Sequence, residues 1–432
     1  MKLKTETENG FKQTEIGSIP EDWETVRMNE AYSFTKKPPR IDLSKYKRIP
    51  FIPMEFVPDD GKDLNRYEFR EKVSSGTFVY KGDLIVAKIT PSFENGKQAI
   101  VRDIPFDFVY ATTEVWPIHG IEGQSDIDYL FYYLKKQDVR NDVAGKMEGS
   151  TGRQRVPKNV LENLTIPFPT LEEQQKIAFV LSKIQQAIEQ QGKIIKKTKE
   201  LKRSLMQKLF TEGLRGEELK ETEIGLMPRS WSAKRLKDVV EKTSQRDMTK
   251  TPDIQFKYID VSSISNESLK IIGSTTYKGP ESPSRARKII KVNDVLFATV
   301  RPTLKRIAYV SSEFDGEICS TAFCVLRNNM ELSSKYLYYC VQRDSFIQNL
   351  GKLQRGANYP AVTDGNVKDQ LIPFPTIDEQ EEIANTLWGI DNKIEHEIRS
   401  KSMLNELFKS MLNNLMTGQV RVKDIDFGEI NV

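Results

Sequence analysis

The sequence is poor in the residues that most chemistry needs. Its 432 residues include two histidines, His119 and His396, and three cysteines, Cys319, Cys324 and Cys340. A Cys/His metal centre takes about four ligands at fixed spacing, so none is expected. An odd number of cysteines confined to one half makes no disulfide framework and points to reduced thiols in a cytoplasmic protein. No run approaches the ~18 apolar residues of a membrane span, so no membrane partner is expected. The opening MKLKTETENG has no apolar stretch of the secretory kind. Net charge is only +4, too little to name a partner. The G-x-x-x-x-G-K-[ST] and G-x-G-x-x-G loops are missing, and so is the G-x-S-x-G elbow. Asn358-Tyr359-Pro360 is not the Asn/Asp-Pro-Pro-aromatic motif of adenine methyltransferases. A chain of this size with no catalytic motif is expected to read a ligand, with no cofactor and no metal of its own.

What the chain does have is a repeat. TEIGSIPEDW from Thr14, KGDLIVAKITP from Lys81, YLFYYL from Tyr129 and IPFPTLEEQQKIA from Ile166 form one series. TEIGLMPRSW from Thr222, VNDVLFATVRP from Val292, YLYYCV from Tyr336 and IPFPTIDEQEEIA from Ile372 repeat it in the same order. Four blocks at nearly one offset mean a duplicated unit of about half the chain. Pro20 and Pro228 forbid a helix at each opening, and Trp23 and Trp231 read as anchors. Short alternating runs follow and predict strands over Phe51–Phe56, Gly76–Val79, Asp83–Ile89 and Gln98–Val101. The second copy predicts them over Phe256–Val261, Lys288–Val292, Val295–Val300 and Ile307–Val310. The aromatic blocks from Tyr129 and Tyr336 read as short helices packed in a core.

Each IPFPT block stops the strand and starts a long helix. Thr170 with Glu173, and Thr376 with Glu379, have capping-box spacing. Ile177, Leu181, Ile184, Ile188, Gln191, Ile195 and Thr198 follow 4-3 spacing. So do Ile383, Leu387, Ile390, Ile394, Glu397, Lys401, Leu404, Phe408, Met411 and Leu415. Such spacing predicts a coiled-coil seam. Gly213 and Gly418 stand where a helix C-cap is expected. Residues 171–216 carry a net charge of +5 and residues 377–432 one of −5, which suits pairing. The expected architecture is α+β: two tandem mixed α/β domains joined by two long helices in an antiparallel coiled coil, with pseudo-two-fold symmetry. Its parts are a domain over 1–170, a helix over 171–216, a second domain over 217–376, a helix over 377–418 and a tail over 419–432. Two like modules at fixed separation suit a bipartite ligand such as double-stranded DNA.

Candidate DNA-binding residues lie in loops that combine Pro or Gly with cations and amides. Lys88, Thr90, Ser92, Asn95 and Lys97 follow one strand, and Arg301, Thr303, Lys305 and Arg306 follow its counterpart. A second pair of loops precedes each IPFPT block, with Ser150, Thr151, Arg153, Gln154 and Arg155 in one and Arg355, Asn358 and Tyr359 in the other. Further basic clusters are Lys36, Lys37 and Arg40, and Arg285 with Arg287.

The TEIG…P…W opening, the Gly-Asp-Leu-Ile-Val-Ala-Lys strand from Gly82 and the IPFPT-x-x-E-Q-x-x-I-A block together resemble the specificity subunit of type I restriction-modification systems. The resemblance covers nearly the whole chain. It implies two target-recognition domains, each reading one half of a split DNA target, with the paired helices as spacer. It implies docking of two methyltransferase subunits and of restriction (motor-nuclease) subunits. S-adenosylmethionine, ATP and Mg²⁺ then belong to those partners. The two domains diverge outside the shared blocks, so the half-sites should differ, with one adenine modified on each strand. Half-site centres ~10 bp apart place both domains on one face of the DNA. The departure is Arg355-Gly-Ala-Asn-Tyr, which replaces the Gly-Ser-Thr-Gly-Arg of the first copy and puts the equivalence of those loops in question. The alternatives are a single-chain DNA-modifying enzyme with an unrecognised site and a coiled-coil scaffold that binds only protein.

Overall fold

The computed structural model describes residues 10–39, 41 and 46–425. The chain divides into two units, residues 1–192 with 400–432 and residues 193–399.

In the first unit, a hairpin of Phe11–Thr14 and Gly17–Pro20 precedes two four-stranded sheets. One sheet runs Glu68–Arg70, Ile49–Ile52, Phe108–Ala111, Thr77–Tyr80, with its two central strands parallel. The other runs Tyr32–Phe34, Val115–Gly120, Leu84–Ala87, Gln98–Ile100 and is antiparallel. Leu84–Ala87 is paired on both sides and wholly buried, which is why it reads as an unbroken apolar run. The predicted strand Phe51–Phe56 is cut short. Pro53 has no N–H to give a ladder, and Met54–Phe56 turns as a 3-10 helix.

The second unit repeats the plan. A hairpin of Leu219–Thr222 and Gly225–Pro228 precedes a mixed sheet, Thr275–Lys278, Gln255–Ile259, Ile318–Ser320, Ala286–Ile289, and a three-stranded sheet, Ile307–Tyr309, Val295–Ala298, Phe323–Leu326. The strand predicted over Lys288–Val292 ends at Ile289, because Lys291 N–H and Val292 N–H turn to the carboxylates of Asp294 and Asp315.

The repeated residues converge at one junction in each unit. The aromatic blocks form the helices Ile127–Tyr133 and Ser334–Cys340, and Tyr129, Tyr132, Tyr336 and Tyr339 are fully buried. Tyr129 donates its hydroxyl to Pro167 O at 2.9 Å, and Tyr336 to Pro373 O at 3.1 Å. Each thereby grips the IPFP strand. Gln174 Nε2 donates to Pro169 O while its Oε1 accepts from Asp126 N, and Gln380 bridges Pro375 O and Ser333 N likewise. The capping boxes form only by half. Glu173 N–H and Glu379 N–H reach the threonine hydroxyls, but the carboxylates face elsewhere. They accept the indole N–H of Trp23 at 3.0 Å and of Trp231 at 3.1 Å. A buried indole needs an acceptor, and a charged one forms a stronger bond than a neutral one.

The long helices are Leu171–Glu212 and Ile377–Met416. In the first unit, Ile177 and Leu181 of one helix pack with Leu412, Leu415 and Met416 of the other. A Cβ on Gly192 would lie 3.5 Å from the Lys401 ammonium, so the two segments run antiparallel. In the second unit, Leu209 and Phe210 pack with Ile383, Ala384 and Leu387, and Lys202 pairs with Asp391 at 2.7 Å. The seam is fully buried at Ile177, Leu181, Ile383, Leu387 and Leu415 and half-buried at Gln191, Glu397 and Lys401. Each fully buried Leu or Ile contributes about 1.5–3 kcal/mol.

Both helices close on a left-handed glycine, Gly213 at φ 63° and Gly418 at φ 68°. Gly418 packs against Pro20 and Trp23, and Gly213 against Pro228 and Trp231. In the first unit the tail that follows adds a clamp. Arg421 pairs with both Asp22 and Glu173 through four hydrogen bonds of 2.8–2.9 Å. The hydrogen bonds from Arg421 hold the Asp22 carboxyl down at about 2, well below its ordinary range. A depressed carboxyl stabilises above its unfolded pKa of about 3.9, and that contribution is lost as pH falls through the folded value. Tail protection, read by amide exchange over residues 418–425, is therefore expected to hold at pH 5 and to fall between about pH 4 and pH 2. An Arg421→Met chain should lack this pH step; a step of the same size in that chain would rule out the clamp as its cause.

Candidate nucleic-acid interface

The two candidate loops of each unit lie together. In the first unit, Thr90 N–H donates to Gln154 O at 3.0 Å and Val156 N–H to Lys88 O at 2.8 Å, while Glu148 and Arg155 form a two-way bridge. In the second, Arg301 N–H donates to Pro360 O at 2.7 Å and Val362 N–H to Thr299 O at 2.9 Å, while Arg355 and Ala361 bridge. The same backbone positions pair in both units although the side chains differ. Arg355–Ala361 thus occupies the place of Glu148–Arg155, and the two loops are equivalent in the backbone. Sequence spacing alone does not show this, because the second loop is one residue shorter.

Several candidate side chains are engaged within the fold. Lys97 donates to Met54 O and Val57 O, and Arg306 donates to Val261 O and Ile264 O. Lys88 lies 4.1 Å from the Trp116 ring centre, and burial pushes its ammonium pKa down. Arg155 forms a bidentate pair with Glu114 at 2.8 Å, whose hydrogen bonds lower the Glu114 pKa. Lys305 pairs with Asp344 at 2.6 Å, and Arg287 with Ser284 O and Asp247. The Thr90 hydroxyl donates to Glu94.

The others face outward. Ser150, Thr151, Arg153, Asn95, Arg285, Arg301, Thr303, Arg355, Asn358 and Tyr359 are exposed, and Ser92 and Gln154 are half-buried. Lys36 and Lys37 are exposed, and Lys37 lies 5.8 Å from the Tyr110 ring centre. Arg40 lies outside the described residues. Sequence reading missed the groups that sort these cations, namely Trp116, Glu114 and Asp344. The only local signal was their chemistry, since their partners are distant in sequence.

Residues 20–199 and 228–404 each match the profile described as the type I restriction modification DNA specificity domain. The chain belongs to that family. The type I restriction enzyme MjaVIII specificity subunit of Methanocaldococcus jannaschii is 27% identical, over 97% of this chain and 98% of its own length. The putative type I restriction enzyme MjaX specificity subunit of the same organism is 26% identical, over 96% and 98%. The fold is that of the type I restriction-modification S subunit from M. genitalium, at a TM-score of 0.56 and 14% identity, covering 96% of this chain and 99% of that one. Each matched stretch contains one of the joined loop pairs described above. Among the described residues, no group of three or more His, Cys, Asp or Glu is placed to hold a metal ion. No helix among the described residues is long and apolar enough to cross a membrane. All three cysteines are buried, and burial pushes the thiols of Cys324 and Cys340 up to about 12, far from thiolate chemistry.

Proposed function

We propose that this chain is the non-catalytic specificity subunit of a type I restriction-modification complex and reads a bipartite double-stranded DNA target. The observation that carries this is the loop pair, built on the same backbone bonds in both units but with different exposed side chains. One scaffold with two sets of side chains suits two different half-sites. The long helices are the spacer and the docking surface for two methyltransferase subunits, and restriction subunits join the same complex. S-adenosylmethionine, ATP and Mg²⁺ are held by those partners.

Salt titration of DNA affinity, on the complex with methyltransferase subunits, separates this from the alternatives. Each phosphate contact adds about 0.9 to the slope of log K against log salt. A reader gives a steep slope, whereas a protein-only scaffold gives no DNA affinity. The isolated chain should neither cut nor methylate DNA with Mg²⁺ or S-adenosylmethionine; either activity would establish the single-chain enzyme. Glu114→Gln provides a finer check. It releases Arg155 from its internal pair, so the slope should steepen by about 1. An unchanged slope places Arg155 away from the DNA backbone.

A further inference from the structure

Among the cations of the joined loops, Arg301 is exposed yet held. Its neighbours in the candidate set, Lys88, Lys97, Arg155, Lys305 and Arg306, are engaged by carboxylates, carbonyls or a ring. Arg301 forms no ion pair among the described residues. Its backbone is left-handed, at φ 48° and ψ 56°, a conformation that a residue with a Cβ adopts only when its surroundings impose it. The imposing contacts are its N–H on Pro360 O at 2.7 Å and the Leu304 N–H on its own carbonyl at 2.9 Å. The side chain is held too. Nη2 donates to Asn358 O at 3.1 Å, and the guanidinium lies 5.2 Å from the ring centre of Tyr359, itself 72% exposed.

An arginine held on a ring by one donor keeps the rest of its planar fork free and pre-aimed. In DNA, two acceptors side by side at that spacing are O6 and N7 of guanine in the major groove. We propose that Arg301 reads a guanine in the half-site of the second unit, with Tyr359 as its positioning residue. This rests on the DNA-reading function proposed above. The equivalent backbone position in the first unit is Thr90, whose hydroxyl is bonded to Glu94. Guanine readout by this route therefore belongs to one half-site only, and the two halves differ for a stated reason.

The test is adenine-methylation mapping across a host genome. Cells co-express a partner methyltransferase subunit with the unmodified chain, Arg301→Ala, Arg301→Lys, Tyr359→Leu or Tyr359→Phe. The unmodified chain should give a split motif with a G·C pair fixed in one half. In Arg301→Ala that position should relax, with discrimination falling ~10-fold or more, while the other half-site stays intact. Tyr359→Leu should relax the same position, and Tyr359→Phe, which keeps the ring, should not. Should Arg301→Ala abolish methylation altogether, Tyr359→Leu decides: relaxation at that position supports the assignment and an unchanged motif overturns it, while Arg301→Lys, which can still donate to guanine, should relax it less than alanine does. An unaltered motif in Arg301→Ala, relaxation at an A·T pair, or a change in both half-sites would each overturn it. A split motif that ignores Arg301 defeats only this assignment. Absence of any split motif for the unmodified chain defeats the reading function and takes this assignment with it.

Discussion

Replacing Trp231 by alanine is expected to cost the second unit about 3–5 kcal/mol, the usual loss for removing a fully buried aromatic. Trp231 is 1% exposed and sits where the repeated elements meet: the hairpin end at Pro228, the C-cap at Gly213 and the start of the second long helix at Glu379. Truncation also takes the indole donor from Glu379, leaving the Leu214 N–H as the carboxylate's remaining partner among the described residues. Loss of one partner from a buried carboxylate adds about 1–3 kcal/mol. Trp231→Phe keeps most of the packing and should lose mainly that second contribution. Urea unfolding of the full chain, followed by amide exchange in each unit, separates the two. Alanine should lower the midpoint of the second unit well beyond phenylalanine. Equal midpoints for the two variants would mean that the indole hydrogen bond, and not the packing, holds the junction.

The second large effect is expected at Gly418. It combines φ 68° with direct contact on Pro20, so a Cβ there overlaps the proline ring. Valine adds left-handed strain, which a β-branched residue tolerates worst. Gly418→Val should therefore pry the end of the second long helix from Pro20 and Trp23 and cost the first unit roughly 2–4 kcal/mol through strain and lost packing. Gly192→Val, in the half-buried helix seam, has no such backbone demand and serves as control. Circular dichroism melts should show the Gly418 variant losing several degrees more than the control. Similar melts would show that the tail junction yields freely.

Much of the fold was legible because the repeat lists one junction twice. Trp23, Tyr129, Glu173 and Gln174 look unrelated in sequence, but each has a double at the matching place, and all of them meet. Apolar spacing showed the long helices because their seam residues are the ones buried. What misled was local chemistry overruled from afar. Thr170 and Glu173 have the spacing of a capping box, yet the Glu173 carboxylate goes to an indole 150 residues away. Phe51–Phe56 has the alternation of a strand, yet Pro53 ends it. The same cause limits the site. Lys88 and Arg301 follow equivalent strands and read alike, but Trp116 lies beside one and Tyr359 beside the other. Burial has pushed one ammonium pKa down, while the other cation stays exposed. Which cations remain free for a ligand depends on partners that only the folded chain brings near.

On the proposed function, two joined loop pairs, one in each unit, read the two halves of one DNA target. Mapping methylated adenines genome-wide, with this chain and a partner methyltransferase subunit expressed together, tests it most directly. The account predicts a split motif of two unlike halves around an unread gap, with one modified adenine on each strand. A continuous motif, or methylation without sequence preference despite a stable complex, would contradict it.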